Sequence, residues 1–182
     1  NRRMEKTEAR KKFKLDEYRP TALVMGGSMG YGNMKKFVYG MLKTNPDFQF
    51  LVVCGNNKKQ YEMMSKEKHE NLHVFGFVDN VDEMMDAADC IITKPGGLTT
   101  NESLAKQLPM IILNPIPGHE ERNSEFLTNN GVAIEVTKTF PLEDAMHFMF
   151  HNPRRLELMK ESISLCAKSN ATNDIADLVH RL

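Results

Sequence analysis

The sequence predicts an α/β fold: a doubly wound, mostly parallel six-stranded sheet with helices on both faces. Three observations lead there. Short apolar runs recur along the chain without the alternation of a half-exposed strand, as strands buried on both faces require. Segments with apolar residues three and four apart separate them, which is helical spacing. Two glycine-rich loops, Gly26 to Gly32 and Gly96-Gly97, each follow an apolar run and open a helical pattern.

Taken in order, residues 1–19 are dominated by charge and read as a lead-in or interdomain linker, with a short helix over Thr7 to Phe13. The domain proper spans residues 20–182. Thr21 to Met25 is the first strand, and the first glycine loop leads into a helix from Asn33 to Lys43 whose apolar face is Met34, Phe37, Val38, Met41 and Leu42. Phe50 to Cys54 is the second strand, followed by a polar helix over Lys58 to Lys68. Leu72 to Phe75 is the third strand, and Val81 to Ala87 a short helix. Asp89 to Thr93 is the fourth strand, with a helix over Glu102 to Gln107 behind the second glycine loop. Met110 to Leu113 and Val132 to Val136 are the fifth and sixth strands. The helix between them, Glu121 to Asn129, stops at Gly131 in the left-handed C-terminal position glycine favours. Leu142 to Phe150 is helical and stops before Pro153, because a proline disfavours helix in the residue preceding it. Leu156 to Lys168 and Asn173 to Leu182 are amphipathic helices.

The default order for such a sheet is 3-2-1-4-5-6, and its crevice opens between strands 1 and 4, where the winding reverses. Both glycine loops follow those two strands, so topology brings them to one ligand. A helix start offers unpaired N–H groups and a positive dipole end, which together favour phosphate. Glu102 is the carboxylate nearest that start and has two readings. It could accept hydrogen bonds from a sugar diol, or close a capping box with Thr99 and serve its own helix.

Composition narrows the ligand. The 182 residues carry 24 Lys and Arg against 24 Asp and Glu, so no net basic field points to nucleic acid. A hydrophobic content of 41% and a mean hydropathy of −0.45 suit a soluble globule, and no apolar run approaches the roughly 20 residues of a membrane span. Cys54, Cys90 and Cys166 lie far apart and read as reduced core thiols of a cytosolic protein. Gly30-x-Gly32 resembles part of a dinucleotide fingerprint, but Lys35 stands at the third glycine position. The second strand ends Val53-Cys54-Gly55-Asn56 with no acid for a ribose, which disfavours NAD. The P-loop Gly-Lys-Ser/Thr is absent. No Asp-x-Asp occurs, and no metal or other cofactor is expected. His147 and His151, four apart, lack a nearby third ligand and read as exposed helix histidines. Lys94 reads equally as a phosphate contact or a solvated strand end, and Asn123 as an anchor for its own helix start or loop. The thirteen methionines read as core filler.

Five blocks in this order resemble a known family: Gly26-Gly27-Ser28-Met29-Gly30; Gly76-Phe77-Val78-Asp79; Thr93-Lys94-Pro95-Gly96-Gly97-Leu98-Thr99-x-x-Glu102; Pro115-x-Pro117-Gly118-His119-Glu120-x-x-Asn123; and Asn130-Gly131-Val132-Ala133. They resemble the Rossmann-like C-terminal half of the GT-B glycosyltransferases. Within these, the similarity is to the diacylglycerol glucosyltransferase and monogalactosyldiacylglycerol synthase group, related to MurG. The resemblance runs from Pro20 to Leu182. It implies a UDP-sugar donor site with UDP-hexose as substrate and no metal. Glu102 would hold the ribose hydroxyls, and backbone around Phe77 and Val78 would recognise uracil. Gly27, Ser28, Gly96, Gly97 and Thr99 would line the diphosphate. His119 and Glu120 would face the sugar, and the family often has glutamine at His119, which leaves the hexose open.

The function implied is transfer of glucose or galactose from UDP to a lipid acceptor, diacylglycerol, with inversion, as the donor half of a larger enzyme. The general base, the acceptor site and the membrane-binding face would lie in an N-terminal acceptor domain. The full enzyme would be cytoplasmic and peripheral at the inner face of the membrane, and the isolated domain would bind donor without turnover. The other readings are a non-catalytic nucleotide-binding or partner-docking subunit, a MurG-like UDP-N-acetylglucosamine transferase, and an epimerase of the same fold.

Overall fold

A computed structural model describes residues 3–26, 33–66, 68–167 and 179. Helices and strands alternate: α1 (Lys6–Lys12), β1 (Thr21–Met25), α2 (Asn33–Thr44), β2 (Gln49–Val53), α3 (Lys58–Ser65), β3 (Leu72–Phe75), α4 (Val81–Ala87), β4 (Cys90–Thr93), α5 (Gly97–Ala105), β5 (Met110–Ile112), α6 (His119–Asn129), β6 (Ala133–Glu135), α7 (Leu142–Phe150) and α8 (Pro153–Cys166). The six strands are parallel in the order β3-β2-β1-β4-β5-β6. This is the doubly wound order expected.

Strand pleating sorts the core into two layers. Ala22 and Val24 of β1 pack with Met34, Val38 and Met41 of α2, Met64 of α3, and Met146 and Met149 of α7. Leu23 between them faces the opposite layer, with Met84 and Met85 of α4, Leu104 of α5, Leu127 of α6 and Ile163 of α8. Residues Ala22 to Val24, Phe50 to Val52 and Cys90 to Ile92 are fully buried, which is why these strands read as unbroken apolar runs.

The charged lead-in packs onto this domain. Ala9 is fully buried and the Phe13 ring meets Phe75 edge-on at 5.9 Å. Arg10 is buried: its Nη2 donates to Asp89 Oδ2 at 2.8 Å, its Nε to the Ala87 carbonyl at 3.2 Å, and its Nη1 to the Glu17 carbonyl. Asp89 also accepts the Thr21 N–H at 2.7 Å and pairs with Lys6. One carboxylate therefore fixes the lead-in and the entry of β1 together. Lys12 with Glu83 and Arg19 with Glu70 add two further pairs between this segment and the domain.

Several helix ends differ from the sequence expectation. α5 begins at Gly97, not Glu102, because Gly96 itself is the N-cap with extended φ −70° and ψ 144°. α6 begins at His119, two residues early, off Gly118. α8 begins at Pro153, where a proline needs no N–H partner, and the Asn152 side chain accepts the Arg154 N–H. α3 stops at Ser65, short of Lys68. The expected helix over Asn173 to Leu182 lies outside the described residues apart from residue 179. Two arginines opening α8 oppose its dipole, and the structure shows what holds them. Arg154 pairs with Glu157 and Glu161 at 3.1 and 3.3 Å, and the Arg155 guanidinium lies 3.3 Å over the Phe148 ring.

Replacing Asp89 by alanine strands the buried Arg10 guanidinium without its anion. The expected loss is about 3 kcal/mol of unfolding free energy, as for other half-broken buried pairs. Urea denaturation should show a lower midpoint at unchanged slope.

Candidate functional site

Parallel pairing sets Met25, the end of β1, opposite Thr93, the end of β4, and Val53 of β2 on its other side. The loops leaving β1 and β4 therefore start side by side at the C-terminal edge, where the winding reverses. The loop after β1, with Gly27 and Ser28, lies outside the described residues. The loop after β4 and the start of α5 are described in full.

Along Lys94-Pro95-Gly96, Pro95 is buried, and the Gly96 N–H turns back to the Lys94 carbonyl at 2.9 Å. The first intrahelical bond runs from the Thr100 N–H to the Gly96 carbonyl, also 2.9 Å. The Gly97, Leu98 and Thr99 amides precede it. Gly96 has no side chain to cap them, and they find no acceptor among the described residues. Positive potential and free donors coincide at this point. A Cβ added to Gly96 or Gly97 would meet nothing within 4 Å among the described residues, and neither glycine has a positive φ. Neither packing nor backbone conformation demands glycine at these two positions. What remains is the space above them, open to a group that approaches the backbone closely.

Glu102 is the sixth residue of α5 and is exposed, one turn beyond the exposed Leu98. The capping box with Thr99 does not form, since the helix starts earlier and Thr99 is its third residue. That leaves the Glu102 carboxylate facing solvent beside the uncapped amides. Lys94 is half-buried at the strand end, with no ion pair among the described residues. Phe77, in the loop after β3, is 73% exposed, whereas Val78 turns inward against the α4 layer.

The loop after β5 is built differently. Gly118 sits at φ 101°, ψ −107°, a conformation closed to side chains, and Glu121 Oε2 accepts its N–H at 3.0 Å. Glu120 is buried and its Oε2 accepts the Ile116 N–H at 2.7 Å, so this carboxylate holds its own loop. His119, the first residue of α6, is exposed. Asn123 was read as an anchor for its own helix, but its Nδ2 donates to the Pro95 carbonyl at 2.8 Å and ties α6 to the glycine loop after β4. Two residues 28 apart in sequence thus meet through one hydrogen bond, and no sequence periodicity signals that contact.

Cys54, at the exit of β2, is buried, and burial pushes its thiol up to about 11, so it stays protonated and is a poor nucleophile. His147 and His151 stack at 4.5 Å on the exposed side of α7, and no group of three metal-ligating side chains forms among the described residues.

The two kinds of glycine separate experimentally. Gly118→Ala should lower stability by about 1 kcal/mol or more through backbone strain. Gly97→Ala should leave it unchanged or raise it by up to about 1 kcal/mol, because alanine is the better helix former. Thermal unfolding of both variants tests this, and a large loss at Gly97 would mean the open space is not open.

The glycosyltransferase family 28 C-terminal domain matches residues 21–179. The processive diacylglycerol beta-glucosyltransferase of Bacillus subtilis (strain 168) is 34% identical over 186 residues, covering 88% of this chain and 48% of that protein. Its counterpart in Bacillus licheniformis is 31% identical over 175 residues, covering 94% and 46%. The chain thus spans just under half the length of these relatives. Among solved structures, Acinetobacter baumannii MurG superposes with a TM-score of 0.73 at 20% identity, covering 99% of this chain and 54% of that one. UDP-GlcNAc 2-epimerase from Neisseria meningitidis, bound to UDP-GlcNAc, gives 0.70 at 15% identity, covering 96% and 48%. These likenesses establish a GT-B-type Rossmann-like fold, and the match across residues 21–179 places the chain in the glycosyltransferase family 28 C-terminal domain family.

Proposed function

We propose that this chain is the donor-binding half of a glycosyltransferase that moves a hexose from UDP to a lipid acceptor, diacylglycerol, with inversion at the anomeric carbon. The observation that carries the reading is the start of α5: uncapped amides under an unobstructed glycine pair, where β1 and β4 end together. In the reaction UDP departs as an anion while the anomeric carbon gains cationic character. Amides fixed at the N-terminus of α5 meet the leaving diphosphate where its charge grows, with no reorganisation at the moment of transfer. Gly27, Ser28 and Thr99 complete that cradle. Glu102 accepts the two ribose hydroxyls, and the loop at Phe77 and Val78 covers the uracil. His119 faces the hexose, with Glu120 bracing the loop that presents it.

The relatives' names support the lipid acceptor, and their greater length supports a second domain that brings the acceptor and the general base. No helix among the described residues is long and apolar enough to cross a membrane. The isolated chain then binds donor and does not turn it over.

Calorimetric titration decides the donor assignment. UDP should bind more tightly than ADP or NAD. Glu102→Ala should weaken UDP by about 10- to 100-fold, the value of charge-assisted hydrogen bonds, at unchanged thermal stability. Equal affinity for UDP and ADP, or an unaltered affinity in Glu102→Ala, would overturn the assignment.

A further inference from the structure

The opposite, N-terminal edge of the sheet carries a second concave site. A cavity of about 250 Å³ lies between the lead-in, the end of α4, the end of α5 and α8. Arg3, Lys6, Lys106 and Lys160 line it, together with Asp86 and Gln107. Two of the four cations have anions of their own. Lys106 pairs with Asp86 at 2.5 Å, both side chains almost fully buried, and Lys6 pairs with Asp89. The other two do not. Arg3 Nη1 donates to the neutral Gln107 Oε1 at 2.9 Å, and Lys160 has no ion pair among the described residues. The remaining acid on the wall, Glu5, is exposed and screened by water. Asp86 itself is not fully served: its Oδ2 takes Lys106 and the Met4 N–H, while its buried Oδ1 has no hydrogen-bond partner.

A half-buried ammonium in a partly open hollow, next to like charges and without an ion-pair partner among the described residues, is costly unless an anion enters. Burial holds Lys160 below the usual lysine range, and Lys6 and Arg3 push in the same direction against weaker help from Asp89 and Glu157. We infer that this cavity is a binding site for a phosphate-class oxyanion, held by Lys160 and Arg3, either a free phosphoester or the headgroup of an acidic lipid. It is separate from the donor crevice: the nine residues of α5 put about 13 Å of helix between the two. The inference does not depend on the donor reading.

Inorganic phosphate titrated against the labelled chain, at ionic strength held constant with chloride, tests it by amide NMR. Saturable shifts are expected at Met4, Lys6 and Gln107, and Lys160→Gln and Arg3→Gln should each weaken them by about tenfold or more. Phosphate at the donor loop would instead move Leu98 and Thr99, so the two sites report separately. Phosphatidylcholine vesicles with and without phosphatidic acid then identify the source. Sedimentation with the acidic vesicles, abolished by Lys160→Gln, assigns the lipid headgroup. Phosphate shifts without sedimentation assign a free phosphoester. Shifts confined to Leu98 and Thr99, or shifts at Met4 and Gln107 that survive Lys160→Gln, overturn the inference.

Discussion

The parallel pairing of β1 with β4, Met25 opposite Thr93, is the constraint on which the C-terminal edge depends. Strands on one side of it are added leftward and on the other rightward, so no crossover helix covers the seam. The two strands therefore end side by side, and the loops that leave them start from neighbouring points. Because the strands are buried on both faces, their register is held by two core layers at once and slips in neither. The position of the first amides of α5 follows from that register and from the tight Lys94-Pro95-Gly96 turn. Asn123 then locks the turn from the far side by holding the Pro95 carbonyl.

Glycine has two different meanings along this edge. At Gly118 the backbone lies in a left-handed conformation that excludes side chains, so the residue is required by the chain's own path. At Gly96 and Gly97 the backbone is ordinary and the space beyond is empty. A glycine at the first position of a helix forgoes the stability alanine would add. A side chain there would enter space that no described residue fills. This is a stronger pointer to a ligand than the glycine content of the loop.

Sheet order was legible in the sequence because strands buried on both faces leave unbroken apolar runs, and helical spacing survives between them. The start of α5 was not. Thr99-x-x-Glu102 carries the residues of a capping box, and a pattern of side chains cannot show that Gly96, which has none, is the N-cap. The structure thus removes the internal use for Glu102 and leaves it available. Glu120 shows the reverse. The resemblance placed it facing a sugar, while one of its oxygens is engaged by Ile116 in the same loop. The lead-in was hard to read for another reason. Composition reports charge but not pairing, and Arg10 and Lys6 meet Asp89 only once α4 and β4 are in place.

The two ends of α5 place these observations in one frame. Its first turn collects backbone donors with no side-chain acceptor, and its exit places Lys106 and Gln107 on the wall of the rear cavity. An anion at the front would be held by oriented amides, whose charge is partial and fixed. An anion at the rear would be held by whole charges on long side chains, which salt screens and substitution removes one at a time. The front suits a leaving group whose charge changes during a reaction, because amides need not move as it changes. The rear suits a ligand whose charge is constant, and Lys106 stays out of that role because Asp86 already holds it. On the proposed reading, the same helix separates a site for a leaving group from one for a ligand of constant charge, and the difference lies in what supplies the positive potential rather than in how much of it there is.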